Sequence, residues 1–413
     1  MNARFKSRII NTNMLGIVIF TLNMYTYDFR LGLENIPDTF IEKIKNARIA
    51  LITNQTGKDQ EGNRNVDLLL KKGLNIKAIL VTEHGFDGKV PAEDEVLNST
   101  DKKTGIPIVS LFMGTGKKIT ENMLNDYEII IFDIQDAGLR FYTYISTLFD
   151  TLEAASQHNK YYIVLDRPNP LGKPMEGPLV DSTIKSFISR APVPLRHGMT
   201  VGELAWFFNT NILKKPAKLH VVRMKDYKRT ASLKKDNFTN LSPSITSLEA
   251  CYGYSFLGLL GEIRPFDTGR YINKPFQTLM IPQKLMSTQK KWEELQSILQ
   301  KNGIKSTLYR TYIPKKRGSF KGLRINIEDI NDSHSFSAFL DILNFFKNNN
   351  IKLTFSNIFD KAVGTSNIQT YLDGKIDRSK LIHHINTGLQ EFFKKAQSSF
   401  MYEPSPKPVM LTN

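Results

Sequence analysis

Four short apolar runs without polar alternation mark the first half of the chain: RIALIT (48–53), IKAILV (76–81), YEIIIF (127–132) and YYIVLD (161–166). A strand with one wet face alternates apolar and polar residues. Runs that are apolar throughout therefore predict strands buried on both faces, as in a parallel sheet covered by helices. Between the third and fourth runs, Ile145, Leu148, Phe149 and Leu152 fall at i, i+3, i+4 and i+7, the stripe of a crossover helix. LHVVRM (219–224) predicts a further strand. Strand and helix alternating in this way give the α/β class, with a Rossmann-like parallel sheet domain.

The pattern then changes. KKDNFTNLSPS (234–244) is polar and contains Pro243, which places a domain boundary near residue 240. Beyond it lie a Gly-rich segment, Gly253 to Gly269, with no element assigned, and the strand-like FQTLMIP (276–282). The helix KKWEELQSILQKNG, the strands STLYRTYIP and GLRINIEDI, the helix SFSAFLDILNFFKNNN and a last helical pattern near Ile385 to Phe400 complete the chain. The reading is thus residues 31–240 as the Rossmann-like domain and 241–413 as a smaller α+β C-terminal domain. No internal repeat is visible.

Composition adds bounds. With 413 residues, of which 41% are hydrophobic, the chain has the material for two folded domains. The single cysteine, Cys251, excludes an intramolecular disulfide and a thiolate metal cluster. Lys and Arg outnumber Asp and Glu by 56 to 40, a formal charge of +16, which suits anionic partners or simply a basic proteome. Arg4, Lys6 and Arg8 precede the apolar MLGIVIFTLNMYTY (14–27), the order of an export signal, although the run is short for a membrane span and no A-x-A site follows. Residues 1–30 are accordingly read as a signal peptide or N-terminal anchor. An exported, periplasmic protein is expected, with no membrane domain beyond that segment.

The candidate chemistry follows the strands. Asn54 ends the first, Glu83 and His84 the second, Asp133, Gln135 and Asp136 the third, and Asp166, Arg167 and Asn169 the fourth. The carboxyl ends of parallel strands share one rim, where ligands bind. Singly, Asn54, Asp133 and Asp166 read equally well as caps of helices or turns. Glu83 has no such cap to make, and a partly desolvated carboxylate there has the character of a general acid. Arg140 with Tyr142 suits a sugar bearing a carboxylate, whereas Tyr144 reads as core. His197 stands just outside a helix whose Thr200 and Glu203 have capping-box spacing. In the second half, Glu262, Arg264 and Asp267 share a Gly/Pro-bounded segment. Glu83 together with Glu262 would meet the acid-plus-base requirement of glycoside hydrolysis if the domains face one cleft.

Other chemistries lack their signatures. GTGKKIT (114–120) departs from the G-x-x-x-x-G-K-S/T spacing, no G-x-G-x-x-G follows the first strand, and GYSFLG is one residue off a nucleophile elbow. The seven histidines form neither H-E-x-x-H nor H-x-H, so no metal and no cofactor are expected, and no nucleic-acid motif appears.

Taken together, EHGFDG, TGIPIVSLF, FDIQDAGLRFYTYISTL, VLDRPNPLG, EGP, PVPLRHGMTVGELA and LSPSITSLEACYGY resemble the exo-β-N-acetylmuramidase family of NamZ type, glycoside hydrolase family 171 and formerly DUF1343. The resemblance runs from about Ala47 to the C-terminus. It implies a cleft between a Rossmann-like and a smaller domain that releases terminal N-acetylmuramic acid from peptidoglycan fragments, with Glu83 as acid. It also implies family positions at His84, Asp133, Gln135, Asp136, Arg140, Tyr142, Asp166, Arg167, Asn169, Glu176, His197 and Glu203. The chain departs from the family's pattern at Asp87, at Ser244 and over 261–277. These departures motivate the alternative of a peptidoglycan-binding protein without turnover.

Overall fold

The computed structural model describes residues 28–412 apart from 113–120, 185, 232, 234, 236–237 and 314–317. The segment expected to direct export, up to residue 27, and GTGKKIT lie outside the described residues. Among those described, no helix is long and apolar enough to cross a membrane.

The chain is a mixed α/β protein built on a seven-stranded sheet. Its strands are β1 (Ile49–Thr53), β2 (Ile76–Val81), β3 (Ser99–Thr100), β4 (Pro107–Ser110), β5 (Ile129–Asp133), β6 (Tyr161–Leu165) and, after the short strand β7 (Pro174–Met175), β8 (Lys218–Val222). The order is β3-β4-β2-β1-β5-β6-β8, and all neighbours are parallel except β3. The unbroken apolar runs explain the packing. Ala50, Ile52, Leu80, Ile130, Phe132 and Val164 point into one core, and Ile49, Leu51, Ile79, Val81, Ile131 and Ile163 into another on the opposite face. The connection leaving β1 goes to one side, and the chain later returns to the other side at β5. The strand order thus reverses between β1 and β5, where such folds bind ligands.

Residues 238–247 carry no regular structure and lead into the second half. There β10 (Thr278–Pro282), β12 (Gly318–Asn326) and β11 (Lys305–Ile313) form an antiparallel sheet in that order. Two residues each pair β9 (Ile263–Arg264) with β13 (Thr354–Phe355), and β14 (Lys407–Pro408) returns to β7. The first large core is continuous with this half, running from Ala50 through Trp292 and Phe339 to Leu411.

The Gly-rich segment is not irregular at its start. A helix, Leu248–Leu260, runs through Gly253 and Gly258, begun by Ser247, whose side chain accepts from the Ala250 N–H. Its glycines serve close approach rather than chain breaking. A Cβ on Gly253 would lie 1.8 Å from the Phe276 carbonyl oxygen, and one on Gly258 would press on Tyr254 and Phe141.

Candidate active site

Glu83 lies just past β2 at the start of a tight reversal. His84 and Gly85 both take left-handed backbone, φ 72° and 73°. Glycine does so freely, whereas His84 is held there by its ring Nδ1, 2.7 Å from the Val90 carbonyl, and by its own carbonyl accepting from the Val90 N–H. The loop turns back until the Glu93 N–H donates to Glu83 Oε1 at 3.2 Å, while the Thr143 hydroxyl donates to Oε2 at 2.5 Å. Glu83 is 9% exposed. Its carboxyl group is thus fixed from two sides and open to a cavity.

That cavity, of about 440 Å³, is lined by both halves of the chain. Glu83, His84, Tyr142 and Thr143 come from the sheet rim, and Tyr254, Glu262 and Arg270 from the second half. Pro243 and Ser244 line it as well. Their loop is tied down at Leu241, whose carbonyl accepts from the hydroxyls of Tyr142 at 2.7 Å and Tyr144 at 3.0 Å and from the Gln55 amide at 3.0 Å. Glu262 receives the Ser356 hydroxyl at 2.7 Å. Tyr254 lines the cavity with both acids: burial pushes its phenol up, Glu83 and Glu262 push it further, and Arg270 pulls the other way. It therefore stays protonated as a neutral donor at ordinary pH.

Most of the rim residues do not face this cavity. Asp133 is fully buried between the Arg167 guanidinium, 2.6 Å, and the Asn65 amide, 2.7 Å. Asp166, pushed up to about 6 by burial, accepts from Tyr402, Thr200 and the N–H groups of Gly202 and Arg167. Asp136 binds the Gly138 N–H at 2.6 Å and faces His197 at 3.3 Å, and Asn169 ties Leu171 to Met199. Asn54 accepts from Thr56. Gln135 bonds the carbonyls of Asp136 and Pro168 and, with Arg167, lines a separate crevice of about 50 Å³. These side chains, expected at the substrate, hydrogen-bond within the fold and do not line this cavity.

Arg140 departs furthest from expectation. It is fully buried and donates to the carbonyls of Pro178, Val193 and Val363, and burial pulls its guanidinium down to about 9. Its charge is solvated by backbone that it staples together across the two halves, and it does not line the cavity. Glu176 and Arg196 form a similar internal pair at 3.0 Å, with Glu176 also capping the Phe336 N–H. Glu203 closes the capping box with Thr200 and pairs bidentately with Arg229. Arg264 is exposed on β9, and Asp267 accepts from the Gly269 N–H. Among the described residues no cluster of His, Cys, Asp or Glu could hold a metal ion.

The N-terminal and C-terminal sequence profiles of exo-β-N-acetylmuramidase NamZ match residues 49–249 and 252–402. The chain belongs to the NamZ exo-β-N-acetylmuramidase family. As a member of it, the protein is an enzyme, a glycosidase. It is 32% identical over 381 residues to the peptidoglycan β-N-acetylmuramidase NamZ of Bacillus subtilis, covering 90% of this chain and 91% of that one. Two crystal structures of DUF1343 family proteins from Bacteroides fragilis are also similar. One has TM-score 0.77 and 28% identity and the other 0.70 and 26%, each covering 91% of this chain and 99% of the other.

Within this NamZ-type fold, Thr143, Tyr254 and Arg270 line the same cavity and are not among the sequence candidates. Thr143 sits between two tyrosines that mask it in the sequence, and Tyr254 lies in the Gly-rich segment to which the sequence assigns no element. Arg270 had a visible signal, since it follows Asp267 and Gly269 in the segment that supplied Glu262.

Proposed function

We propose that the protein is an exo-acting glycoside hydrolase that releases terminal N-acetylmuramic acid from the β-1,4 linkage to N-acetylglucosamine in peptidoglycan fragments. Residues 31–240 supply the acid, Glu83, and residues 241–413 complete the cleft with Glu262. One observation carries the reading: two carboxylates far apart in sequence, one from each half, line a single cavity. Glu83, held by Thr143 and the Glu93 N–H, gives its proton to the glycosidic oxygen as the bond to the anomeric carbon breaks. Glu262 serves the anomeric carbon, either by taking a proton from the attacking water or by bonding first and being displaced by water. The two routes differ in the configuration of the first product, which NMR of the fresh reaction reads. The family membership and the B. subtilis relative's activity on peptidoglycan support the choice of sugar.

With the disaccharide N-acetylmuramyl-β-1,4-N-acetylglucosamine, whose leaving group needs a proton, Glu83→Gln is expected to lower kcat at least about 10²-fold, in the range of a lost general acid, with the circular dichroism of the wild type. A variant that turned over at the wild-type rate would remove Glu83 from the mechanism. We also read residues 1–30 as an export signal or anchor, because the polymer lies outside the cytoplasm. Cell fractionation tests that, and an exclusively cytoplasmic enzyme would refute it.

A further inference from the structure

The cavity carries three acidic side chains, Glu83, Glu93 and Glu262, and among its described lining residues a single guanidinium, Arg270. A sugar that bears its own negative charge is repelled by such a lining unless a cation is placed to receive it. The arginines of the rim motifs cannot do so. Arg140 is spent on backbone carbonyls and Arg167 on Asp133. Arg270 differs from both: it is exposed, and it makes no ion pair among the described residues.

Its place is also built. Arg270 opens a short 3-10 turn, Arg270–Ile272, between Gly269 at φ 88° and Asn273 at φ 55°. The turn is braced by the Gly269 N–H donating to Asp267 at 2.9 Å and by the Phe276 N–H donating to the Thr268 carbonyl at 2.7 Å. A Cβ at position 269 would lie 2.0 Å from the Lys274 carbonyl oxygen, so the bend that presents Arg270 depends on glycine there. The guanidinium is thus delivered to the cavity from a fixed turn.

We propose that Arg270 is the residue by which the cleft selects a carboxylate-bearing sugar, pairing with the lactyl carboxylate of the muramyl unit seated against Glu83. The inference rests on the function proposed above and adds the side chain that reads the substrate's charge. A guanidinium suits the task because its planar fork meets a carboxylate with two parallel N–H donors, which an ammonium cannot reproduce.

The test uses the whole chain and two ligands of nearly the same shape, N-acetylmuramic acid and its lactyl methyl ester, which lacks the charge. Calorimetry on the wild type is expected to favour the acid by about 10- to 100-fold, the effect of a hydrogen-bonded charge pair. Arg270→Gln should bring that ratio close to one, and Arg270→Lys should keep part of it. The KM for the disaccharide should rise more than kcat falls. Arg270→Gln retaining the wild-type acid-to-ester ratio would overturn the proposal. Failure of the wild type itself to release muramic acid would instead overturn the function on which it rests, so the two failures are distinguishable.

Discussion

Thr143 offers a sharp test of how the acid is held. Its hydroxyl donates to Glu83 Oε2 at 2.5 Å, and Thr143→Val removes that donor while leaving the shape of the side chain. The bond matters most once Glu83 has given up its proton, because a hydrogen bond to a charged acceptor contributes about 1.5–3 kcal/mol against about 0.5–1.5 for a neutral one. The difference, on the order of 1–1.5 kcal/mol, is stabilisation gained as proton transfer proceeds and absent from the ground state. It therefore appears in kcat rather than KM. Thr143→Val is expected to lower kcat on the disaccharide N-acetylmuramyl-β-1,4-N-acetylglucosamine about tenfold with KM changed less than about twofold, and Thr143→Ser, which restores the hydroxyl, to recover most of it. Equal kcat in the wild type and Thr143→Val would refute the reasoning. A serine variant no better than valine would do so too, since the hydroxyl would then not be the operative group. Thr143 is a positioning residue, and this pair of variants separates that role from simple packing.

Three further outcomes follow from the scaffold. Arg229→Met strands Glu203, fully buried and left with only the Thr200 and Met401 N–H groups, and should cost about 3–5 kcal/mol in urea unfolding. A loss below about 1 kcal/mol would show that the pair is not what holds the C-terminal segment. Asp166 has its carboxyl pushed from 3.8 up to about 6 by burial, so the fold favours its protonated form. Its contribution is full below pH ~4 and is lost as pH rises through 6, by up to about 3 kcal/mol. The unfolding free energy of the wild type minus that of Asp166→Asn should fall across that window, and parallel curves would contradict this. Gly88→Ala meets a left-handed φ of 69° and a Gln55 amide carbon 2.2 Å from the new methyl, so it should lower both Tm and activity by disturbing the 240–245 loop. Gly62→Ala, at φ 86° with nothing within 4 Å, should cost about 1 kcal/mol and leave activity intact. Equal effects of the two substitutions on activity would refute the Gln55 linkage.

The main sheet was legible because β1, β2, β5 and β6 are buried on both faces and so leave unbroken apolar runs. The edge strand β3, two exposed polar residues, leaves none. The helix over 248–260 leaves no clear pattern in the sequence because Gly253 and Gly258 resemble chain breakers. The reason for them lies in the backbone of Phe276 and the ring of Phe141, distant in sequence. Of the side chains that line the cavity, Glu83 stands out in the sequence through the strand that delivers it, and Glu262 through its Gly/Pro-bounded segment. The direction taken by a long arginine does not. Whether Arg140 reaches outward or inward is decided by carbonyl oxygens at 178, 193 and 363, and no local pattern announces their convergence. The same holds for Asp166, Glu176 and Glu203, whose partners Tyr402, Phe336 and Arg229 come from far along the chain.

The most direct measurement is a crystal structure of Glu83→Gln soaked with the disaccharide N-acetylmuramyl-β-1,4-N-acetylglucosamine. The amide at position 83 should lie within hydrogen-bond distance of the glycosidic oxygen, with Glu262 across the anomeric carbon and the muramyl ring innermost. A disaccharide seated away from residue 83, or one with its N-acetylglucosamine in that innermost position, would contradict the account.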